Sequence, residues 1–271
     1  AIRCEMLERQ RLEAWAGAYP PVRTPKRVLV VMAGNIPLVG FFDLLCVLAS
    51  GHACRVKPSS KDTVLIGYVV DLLRTIDPAI PLRMAEQGER LDAVIATGSD
   101  NANRYFRMLF GGIPSLLRGS RQSVAVLSGR ETAAELSGLE EDIFAYSGLG
   151  CRNVSLLFLP RGYMPELRCT ALNEKYRRNY LRERALLRMC RMPFVDLDGA
   201  VLCEDRSFPA ALSRIHYTFY DSLADVEAWL AAHDDRLQCV VSQCVRHSRR
   251  VAFGRAQHPG LTDYADDVDT M

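Results

Sequence analysis

Short apolar runs alternate with longer helical patterns along most of the chain, and this alternation is what most limits its fold. The first run, 27–32, is followed by a turn at Gly34-Asn35 and then by an apolar helical pattern. Continuous apolar runs of this kind are typical of strands buried on both faces of a parallel sheet. The remaining runs lie at 53–57, 80–84, 92–96, 123–127, 154–159, 212–219 and 237–242. The order of runs and helical patterns predicts right-handed β-α-β units, and hence an α/β protein with mostly parallel sheets.

Helical patterns fill the intervals between these runs. Pro37 is expected in the first turn of the helix after the first run, and Gly51 at its end. Another helix is expected to open at the Gly98-Ser99 turn and to end near residue 110. The remaining helical patterns are 5–20, 38–50, 61–75, 131–147, 165–193 and 222–233. Parallel sheets bind their ligands at the carboxyl ends of their strands, so residues at those ends are the first candidates for a site.

The composition is that of an ordinary globular protein. With 271 residues, of which 49% are hydrophobic, the chain is long enough for one large or two modest domains. Its net charge of +2 gives no electrostatic case for nucleic acid or for a membrane surface. The expected partner is therefore a small molecule.

Cysteine usage and the chain ends add three expectations. Nine cysteines without a Cys-x-x-Cys pair predict reduced thiols and no metal site. The absence of a signal-peptide pattern and of a long apolar segment predicts a cytoplasmic protein without a transmembrane segment. Because the chain begins at Ala1 rather than at Met and stops abruptly, we expect it to be a fragment of a longer protein.

Cys151 stands at a junction that could hold a catalytic nucleophile. A helical pattern ends at Gly148 and Gly150, and an apolar run begins at Val154, which places the cysteine on a tight helix-to-strand connection. Glycine supplies the cramped backbone of such a connection and lets a substrate approach closely. Nearby backbone N–H groups would favour the thiolate and could hold an oxyanion. The competing interpretation is ordinary packing, since free cysteine is among the most buried residue types.

Three predicted strand ends carry residues suited to a ligand. Asn35 follows the first strand, Lys57 ends the second, and Gly98-Ser99 follows the strand at 92–96. A helix that opens with Gly-Ser can receive a phosphate, and a lysine can pair with one. The dinucleotide fingerprint G-x-G-x-x-G and the phosphate loop G-x-x-x-x-G-K-[ST] are both absent. Taken singly, Lys57 also suits a solvated strand end, and Gly98-Ser99 an ordinary N-cap.

The segment 165–193 is strongly basic. We interpret it as a solvated helix face in preference to an anion or partner site. Binding of the phosphates of a large, cofactor-like substrate is the sharper alternative. Its cationic residues are Arg168, Lys175, Arg177, Arg178, Arg182, Arg184, Arg188 and Arg191.

Taken in order, several of these motifs resemble the aldehyde dehydrogenase superfamily, and more specifically its fatty acyl-CoA reductase (LuxC-like) branch. The resemblance covers nearly all of residues 25–271, and the shared order makes it more specific than any single motif. The stretches that carry it are Met32-Ala-Gly-Asn-Ile-Pro-Leu-Val-Gly40, Gly51-His-Ala-Cys-Arg-Val-Lys57-Pro58-Ser59, Ala96-Thr97-Gly98-Ser99, Gly148-Leu-Gly-Cys-Arg-Asn-Val154 and Asp263-Tyr-Ala-Asp-Asp-Val-Asp-Thr-Met271.

The resemblance implies a fold and a division of the chain. The implied fold is an aldehyde dehydrogenase-like α/β fold, with a Rossmann-like parallel-sheet domain for the nucleotide and a second α/β domain for catalysis. Residues 1–121 would form the NAD(P)-binding domain, truncated at its N-terminus. Residues 122–250 would form the catalytic domain with the nucleophilic cysteine, and 251–271 a C-terminal tail.

The resemblance also implies roles for six residues. Cys151 matches the family's nucleophile, and Asn35 matches the amide that holds the thioester or hemiacetal oxygen. The backbone N–H of Cys151 would be the second donor to that oxygen. Lys57 and Ser59 match contacts to the adenosine ribose and its 2′ substituent. Gly98 and Ser99 match the turn beside the pyrophosphate. The implied cofactor is NADPH, with NADH left open, and this family binds its dinucleotide without G-x-G-x-x-G.

Two departures from the family pattern bear on the reaction. Members that hydrolyse their acyl-enzyme carry a glutamate where this chain has Leu117. Without that base, water is poorly activated and the acyl-thioester should persist until hydride or another thiol reaches it. A second family glutamate, which holds the nicotinamide ribose, would fall near Ser207 and is not evident.

The resemblance, together with the departure at Leu117, implies an NADPH-dependent reductase that converts a long-chain fatty acyl-CoA, or another acyl thioester, into a fatty aldehyde through an acyl-cysteine intermediate. The expected partners are the acyl-CoA, an acyl-protein synthetase and a second copy of the chain in a homo-oligomer. One alternative function, also enzymatic, is the NAD(P)-dependent oxidation of an aldehyde to an acid. The other alternative is a non-catalytic subunit that binds acyl groups or a partner.

Overall fold

The computed structural model describes residues 2–169 and 173–271, and the chain divides into two compact units. The N-terminal unit comprises Ile2–Ser120 together with Val268–Met271, and the C-terminal unit comprises Arg121–Asp267. The last four residues thus group with the N-terminal unit, whereas the sequence analysis sets 251–271 apart as a tail. Each unit is built around a sheet of its own.

The sheet of the N-terminal unit has five strands in the order β3-β2-β1-β4-β5, and every neighbouring pair is parallel. The strands are β1 Arg27–Val31, β2 Ala53–Lys57, β3 Leu82–Met84, β4 Ala93–Thr97 and β5 Ser115–Arg118. The predicted parallel arrangement is confirmed. Four of the five strands were expected, and β5 was missed because only two of its four residues are apolar.

Helices cover both faces of this sheet. They are α1 Ile2–Met6, α2 Arg9–Gly17, α3 Phe41–Ala49, α4 Thr63–Ile76 and α5 Asp100–Phe110. Leu44 of α3 and Ile66 of α4 pack with Val30 on one face, whereas Phe106 of α5 packs with Leu29 on the other. The helices therefore change sides between β1 and β4, and such a change marks the crevice where open parallel sheets bind ligands.

Two predicted helices of this unit are wrong in their bounds. The pattern over 5–20 forms two short helices, α1 and α2. Pro37 does not lie in the first turn of α3, because the chain first makes a turn in which Leu38 has a left-handed backbone with φ 56°. The Leu38 N–H donates to Oδ2 of Asp62 at 2.7 Å, so a residue from beyond β2 holds this turn.

The sheet of the C-terminal unit has seven strands in the order β12-β11-β6-β7-β10-β9-β8. All neighbours are parallel except β8 and β9, which are antiparallel. The strands are β6 Gln122–Val126, β7 Val154–Pro160, β8 Val195–Asp196, β9 Val201–Glu204, β10 Arg214–Tyr220, β11 Leu237–Ser242 and β12 Arg250–Val251. Strands β8, β9 and β12 were not predicted, because they have only two to four residues each.

Three α-helices accompany this sheet: α6 Ala133–Phe144, α7 Glu174–Met189 and α8 Leu223–Ala232. Leu139 of α6 packs with Leu157 on one face, and Leu230 of α8 packs with Phe158 on the other, as the alternation along β7 requires. The helix predicted over 165–193 is shorter in the structure. Of its leading residues, 165–169 are not helical, and 170–172 lie outside the described residues.

Asp142 of α6 is a fully buried carboxylate within this unit. It accepts hydrogen bonds from the N–H of Gly254 at 2.7 Å and from the N–H of Ala256 at 2.9 Å. Burial raises the pKa of this carboxyl to about 6, although both N–H donors act to lower it. Asp142 thus holds the turn around Gly254 against α6, and its burial there disfavours the ionised form of its carboxyl group.

The titration of Asp142 should be visible in the stability of the chain. Its folded pKa of about 6 lies above the usual 3.8, so its stabilising effect is fully present below pH 3.8 and is lost as the pH rises through 6. We expect wild type to lose roughly 2–3 kcal/mol of unfolding free energy across this window relative to Asp142→Asn. Denaturant titrations at several pH values measure the difference. Asp71→Asn, at an exposed carboxylate of α4, is the control. Parallel pH profiles for wild type and Asp142→Asn would contradict the prediction.

Candidate active site

Cys151 lies at the tip of a tight turn between α6 and β7, as the glycine pattern predicts. The Asn153 N–H donates to the Gly150 carbonyl at 3.1 Å, which closes a four-residue turn with Cys151 and Arg152 at its centre. Cys151 is exposed to solvent. The turn therefore presents the cysteine outward and does not pack it into the core.

The side chain of Asn153 fixes this turn to the end of α6. Its Oδ1 accepts from the Gly150 N–H at 2.8 Å. Its Nδ2 donates to the carbonyls of Asp142, Ile143 and Ala145 at 3.2, 3.1 and 2.9 Å. The last carbonyls of a helix lack intrahelical partners, and the buried amide of Asn153 donates the missing hydrogen bonds. Sequence reasoning missed Asn153, whose only signal was its place two residues after the cysteine.

Ser123 of β6 holds the other side of the turn. This residue is fully buried, and its hydroxyl donates to the Cys151 carbonyl at 2.9 Å. The same oxygen accepts from the Cys239 N–H at 3.2 Å and lies 3.1 Å from the Cys239 sulfur. Cys151 is thereby tied to β6 and β11 through its backbone, which leaves its side chain unrestrained by these contacts.

The chain just ahead of the turn is strained. Tyr146, Ser147 and Gly148 have left-handed backbones with φ of 51°, 55° and 65°. Glycine adopts this conformation readily, but the other two residues do so at a cost of about 1–2 kcal/mol each. Ser147 is held in place by the Asn173 N–H, which donates to its hydroxyl at 3.1 Å. Strain of this kind concentrates at functional sites.

The acidity of the Cys151 thiol differs from the sequence-based expectation. Desolvation by the surrounding protein raises its pKa above the usual 9.0 and outweighs every other influence. The charge of Arg152 and the N–H groups of Cys151 and Arg152 lower the pKa, whereas the charge of Asp266 raises it. The expected N–H donors are thus present, but the net shift of the thiol pKa is upward, opposite to the direction expected from the sequence. The exposed residue remains open to reagents while its thiolate is poorly solvated.

A cleft of about 170 Å³ opens beside the turn, at the amino ends of β6, β7 and β10. Gly150 and Asn153 border it on the turn side, and Leu212 and Tyr176 supply apolar surface. Arg214 is its charged residue, with one guanidinium nitrogen donating to Glu183 at 2.6 Å. Cys151 and Arg152 are not among the residues that line the cleft, although Gly150 and Asn153 of the same turn are.

The five other predicted site residues lie together in the N-terminal unit, at the carboxyl edge of its sheet. Asn35 is exposed in the loop after β1, and Lys57 is the exposed last residue of β2. Ser59 follows two residues later and packs on Gly34, where a Cβ would overlap the serine side chain. The structure therefore brings the loops after β1 and β2 into contact.

Gly98 and Ser99 follow β4 at the same edge. Ser99 is the N-cap of α5, and its hydroxyl accepts from the Ala102 N–H at 3.3 Å. A Cβ on Gly98 would lie 2.9 Å from the Ala102 Cβ, so only glycine permits this approach of the strand to the helix. The prediction of a helix that opens with Gly-Ser is confirmed. Its N–H groups and dipole face the edge that carries Lys57.

The two positions that depart from the family pattern lie in different units. Leu117 of β5 packs with Phe106 and Phe110 of α5 and has no polar role. Ser207 is exposed, and its N–H donates to the carboxylate of Asp205 at 2.8 Å. Asp205, whose pKa is lowered mainly by that N–H, is the carboxylate closest in sequence to the missing glutamate.

Within the described ranges, no group of three or more His, Cys, Asp or Glu side chains could hold a metal ion. Across the same ranges, no helix has both the length and the apolar character to cross a membrane.

Three solved aldehyde dehydrogenases share the fold of the chain. The enzyme of Mycobacterium tuberculosis, solved with NAD+, is 17% identical, with a TM-score of 0.59 over 74% of this chain and 53% of its own. The NAD+ complex of the Bacillus cereus enzyme is 14% identical, with a TM-score of 0.62 over 87% and 62%. The NAD-dependent benzaldehyde dehydrogenase of Corynebacterium glutamicum is 13% identical, with a TM-score of 0.57 over 85% and 65%.

The chain therefore has an aldehyde dehydrogenase-like α/β fold, which confirms the predicted fold class, and it spans about half to two thirds of the length of these proteins. These neighbours do not distinguish the fatty acyl-CoA reductase branch. No family model and no curated protein matches the sequence.

Replacing Asn153 should loosen the cysteine turn. Asn153→Ala leaves buried carbonyls and the Gly150 N–H without partners, so we expect a loss of roughly 2–4 kcal/mol of unfolding free energy. Asn153→Asp keeps the acceptor for Gly150 but loses the donors, and it places a negative charge at the end of a helix, so it should be no better. Chemical denaturation measures both, with Asn179→Ala, at a half-buried asparagine of α7, as the control. Wild-type stability in Asn153→Ala would show that the amide has no such role.

Proposed function

We propose that the chain is an NADPH-dependent reductase of long-chain acyl thioesters, with Cys151 as its nucleophile and fatty aldehyde as its product. The observation that carries the proposal is the exposed cysteine on a turn that Asn153 and Ser123 fix from behind. The aldehyde dehydrogenase-like fold supports it, as does the resemblance to the fatty acyl-CoA reductases. An acyl-protein synthetase as partner and assembly into a homo-oligomer belong to the same proposal.

In this proposal the exposed Cys151 thiol first loses its proton to solvent, and its sulfur then attacks the thioester carbonyl. The electron pair moves onto the carbonyl oxygen, where a backbone N–H at residue 151 and the side-chain amide assigned to Asn35 by the resemblance stabilise it. Collapse of this adduct expels the CoA thiolate and leaves an acyl group on Cys151. Each hydrogen-bond donor to such an oxyanion is typically worth about 10² to 10³ in rate.

The residues at the carboxyl edge of the N-terminal sheet fit a nicotinamide dinucleotide. Lys57 is exposed and forms no ion pair with any described residue, so its charge is available to a ribose phosphate. Ser59 offers a hydroxyl beside it, and the N-terminus of α5 after Gly98 and Ser99 offers N–H groups to a pyrophosphate. When bound, a reduced nicotinamide would supply the hydride that reduces the acyl-cysteine; breakage of the bond between carbon and the Cys151 sulfur then releases the aldehyde and the Cys151 thiolate.

The absence of a carboxylate at Leu117 favours reduction over hydrolysis. No base at this position prepares water to attack the acyl-cysteine, and the leucine is occupied by apolar contacts with α5. The acyl-enzyme should therefore survive long enough to be reduced.

Aldehyde oxidation to an acid is the second candidate function. Its support is the fold, since the neighbours from three bacteria are named aldehyde dehydrogenases and two of them were solved with NAD+. The two functions differ in product. With an aldehyde and oxidised nicotinamide in water, an oxidising enzyme releases free acid, whereas the proposed reductase requires CoA to release its acyl group.

Incubation with a long-chain acyl-CoA, without reductant, should add one acyl group to the protein. Because the pKa of Cys151 is raised above 9.0, the thiolate fraction and the initial rate of acylation should rise about tenfold per pH unit between pH 7 and 9. Intact-protein mass spectrometry measures both the mass gain and its rate. A mass gain retained by Cys151→Ala would end the proposal.

Two further variants make this experiment specific. Cys190→Ala removes another exposed cysteine and should leave acylation unchanged. Asn35→Ala should acylate about 10² to 10³ times more slowly, since it removes an oxyanion donor.

Lys57→Met should discriminate between the two reduced dinucleotides. Loss of a charged partner for the 2′-phosphate should weaken NADPH binding about 10- to 100-fold and leave NADH binding nearly unchanged. Fluorescence titration of each dinucleotide against the variant measures this. Lys26→Met, at the opposite end of the same sheet, is the control. Equal weakening of both dinucleotides would remove Lys57 from the phosphate contact.

A further inference from the structure

The helix α7 exposes large apolar side chains on the face that points away from the protein. Its inner face is built by Tyr176, Tyr180, Glu183 and Leu187, which are exposed by 1%, 4%, 3% and 1%. These residues are spaced at three to four positions and so share one side of the helix. The rest of the helix is available for other contacts.

The opposite side consists of Arg178, Leu181, Ala185 and Met189, and we call it the outer face of α7. Leu181 is 50% exposed and Met189 is 81% exposed. Met192 lies three residues after the last residue of the helix and is 51% exposed. A single exposed leucine needs no explanation, but Leu181, Met189 and Met192 are three large apolar side chains, each at least half exposed and near one another in the sequence, and we call them the apolar row.

Cations border this row on both sides. The chain carries seven basic and only two acidic residues between Asn173 and Met192. One of the two acids, Glu183, is buried and turned toward Arg214, so it does not offset the charge of the outer face. Lys175, Arg177 and Arg191 are exposed and form no ion pair with any described residue.

The combination of an apolar row with flanking cations selects one kind of surface. The interpretation preferred from the sequence was a solvated helix face, and such a face needs no leucine or methionine among its cations. Arginine and lysine stems can lie along apolar surface while their charges reach the phosphates of a lipid headgroup layer. An anionic bilayer offers that charge together with hydrocarbon just below it.

We propose that the outer face of α7 docks on the surface of an anionic phospholipid bilayer. Leu181, Met189 and Met192 enter the boundary between headgroups and acyl chains, and Lys175, Arg177 and Arg191 contact the lipid phosphates. The helix lies along the surface and does not cross the bilayer. This surface is independent of the proposed reductase activity, since it uses none of the residues assigned to catalysis or to the dinucleotide.

Sedimentation with sucrose-loaded vesicles tests the proposal. The chain should bind vesicles of phosphatidylcholine with about 30% phosphatidylglycerol, and should bind pure phosphatidylcholine at least about tenfold more weakly. Binding to the anionic vesicles should weaken as the salt concentration rises above about 0.1 M. Absence of binding to the anionic vesicles, or equal binding to both kinds, would overturn the proposal.

Two variants separate the charge from the apolar row. Lys175→Gln/Arg177→Gln/Arg191→Gln should weaken binding to anionic vesicles by about fivefold per charge, or roughly a hundredfold together. Leu181→Gln/Met189→Gln should weaken it roughly tenfold or more, because the row no longer enters the bilayer. Glutamine is a good helix former, so both variants should keep α7 folded.

A matched pair of exposed apolar residues on another helix serves as the control. Tyr68 and Ile76 of α4 are 65% and 72% exposed but have no comparable row of cations. Tyr68→Gln/Ile76→Gln should bind vesicles like wild type. An equal loss in this control, or a loss confined to the charge variant, would show that α7 does not insert and would overturn the proposal.

Discussion

The buried amide of Asn153 is the contact on which the geometry around Cys151 depends. A helix end leaves carbonyls without intrahelical partners, and a buried carbonyl left unpaired costs about 1–3 kcal/mol. Asn153 meets three such carbonyls at the end of α6 and also accepts the Gly150 N–H that opens the turn. Because one side chain satisfies both elements, the end of the helix and the position of the cysteine cannot vary independently.

Most of the fold could be predicted from the sequence because the central strands are buried on both faces. Strands such as β1 and β7 are apolar almost throughout, and a parallel strand buried on both faces is recognisable in a sequence as such an apolar run. Strands β8 and β12 have two residues each at the edges of their sheet, which is too few for a pattern. The start of α3 was wrong for another reason, since Asp62 fixes the turn at Leu38 from 24 residues away.

The candidate site shows the same division between local and distant causes. The turn at Cys151 was predictable, because Gly148 and Gly150 are adjacent to it. The anchors Ser123 and Asn153 were not, because their partners lie in other elements. The left-handed backbone of Tyr146 and Ser147 has no sequence signal either, since neither residue type prefers it. The sign of the pKa shift was missed because desolvation sums over all the surrounding packing.

A poorly solvated thiolate is consistent with the proposed chemistry. Attack on a carbonyl moves negative charge from sulfur to oxygen, so an environment that destabilises charge on the sulfur lowers the barrier if the oxygen is better held. The N–H groups of Cys151 and Arg152 already reach the sulfur but do not outweigh its desolvation. A backbone N–H donor stabilises the transition state if it can also hydrogen-bond to the carbonyl oxygen that becomes negatively charged during the attack. On this argument the raised pKa limits how often the nucleophile is ready, and the reactivity of each thiolate that does form is increased.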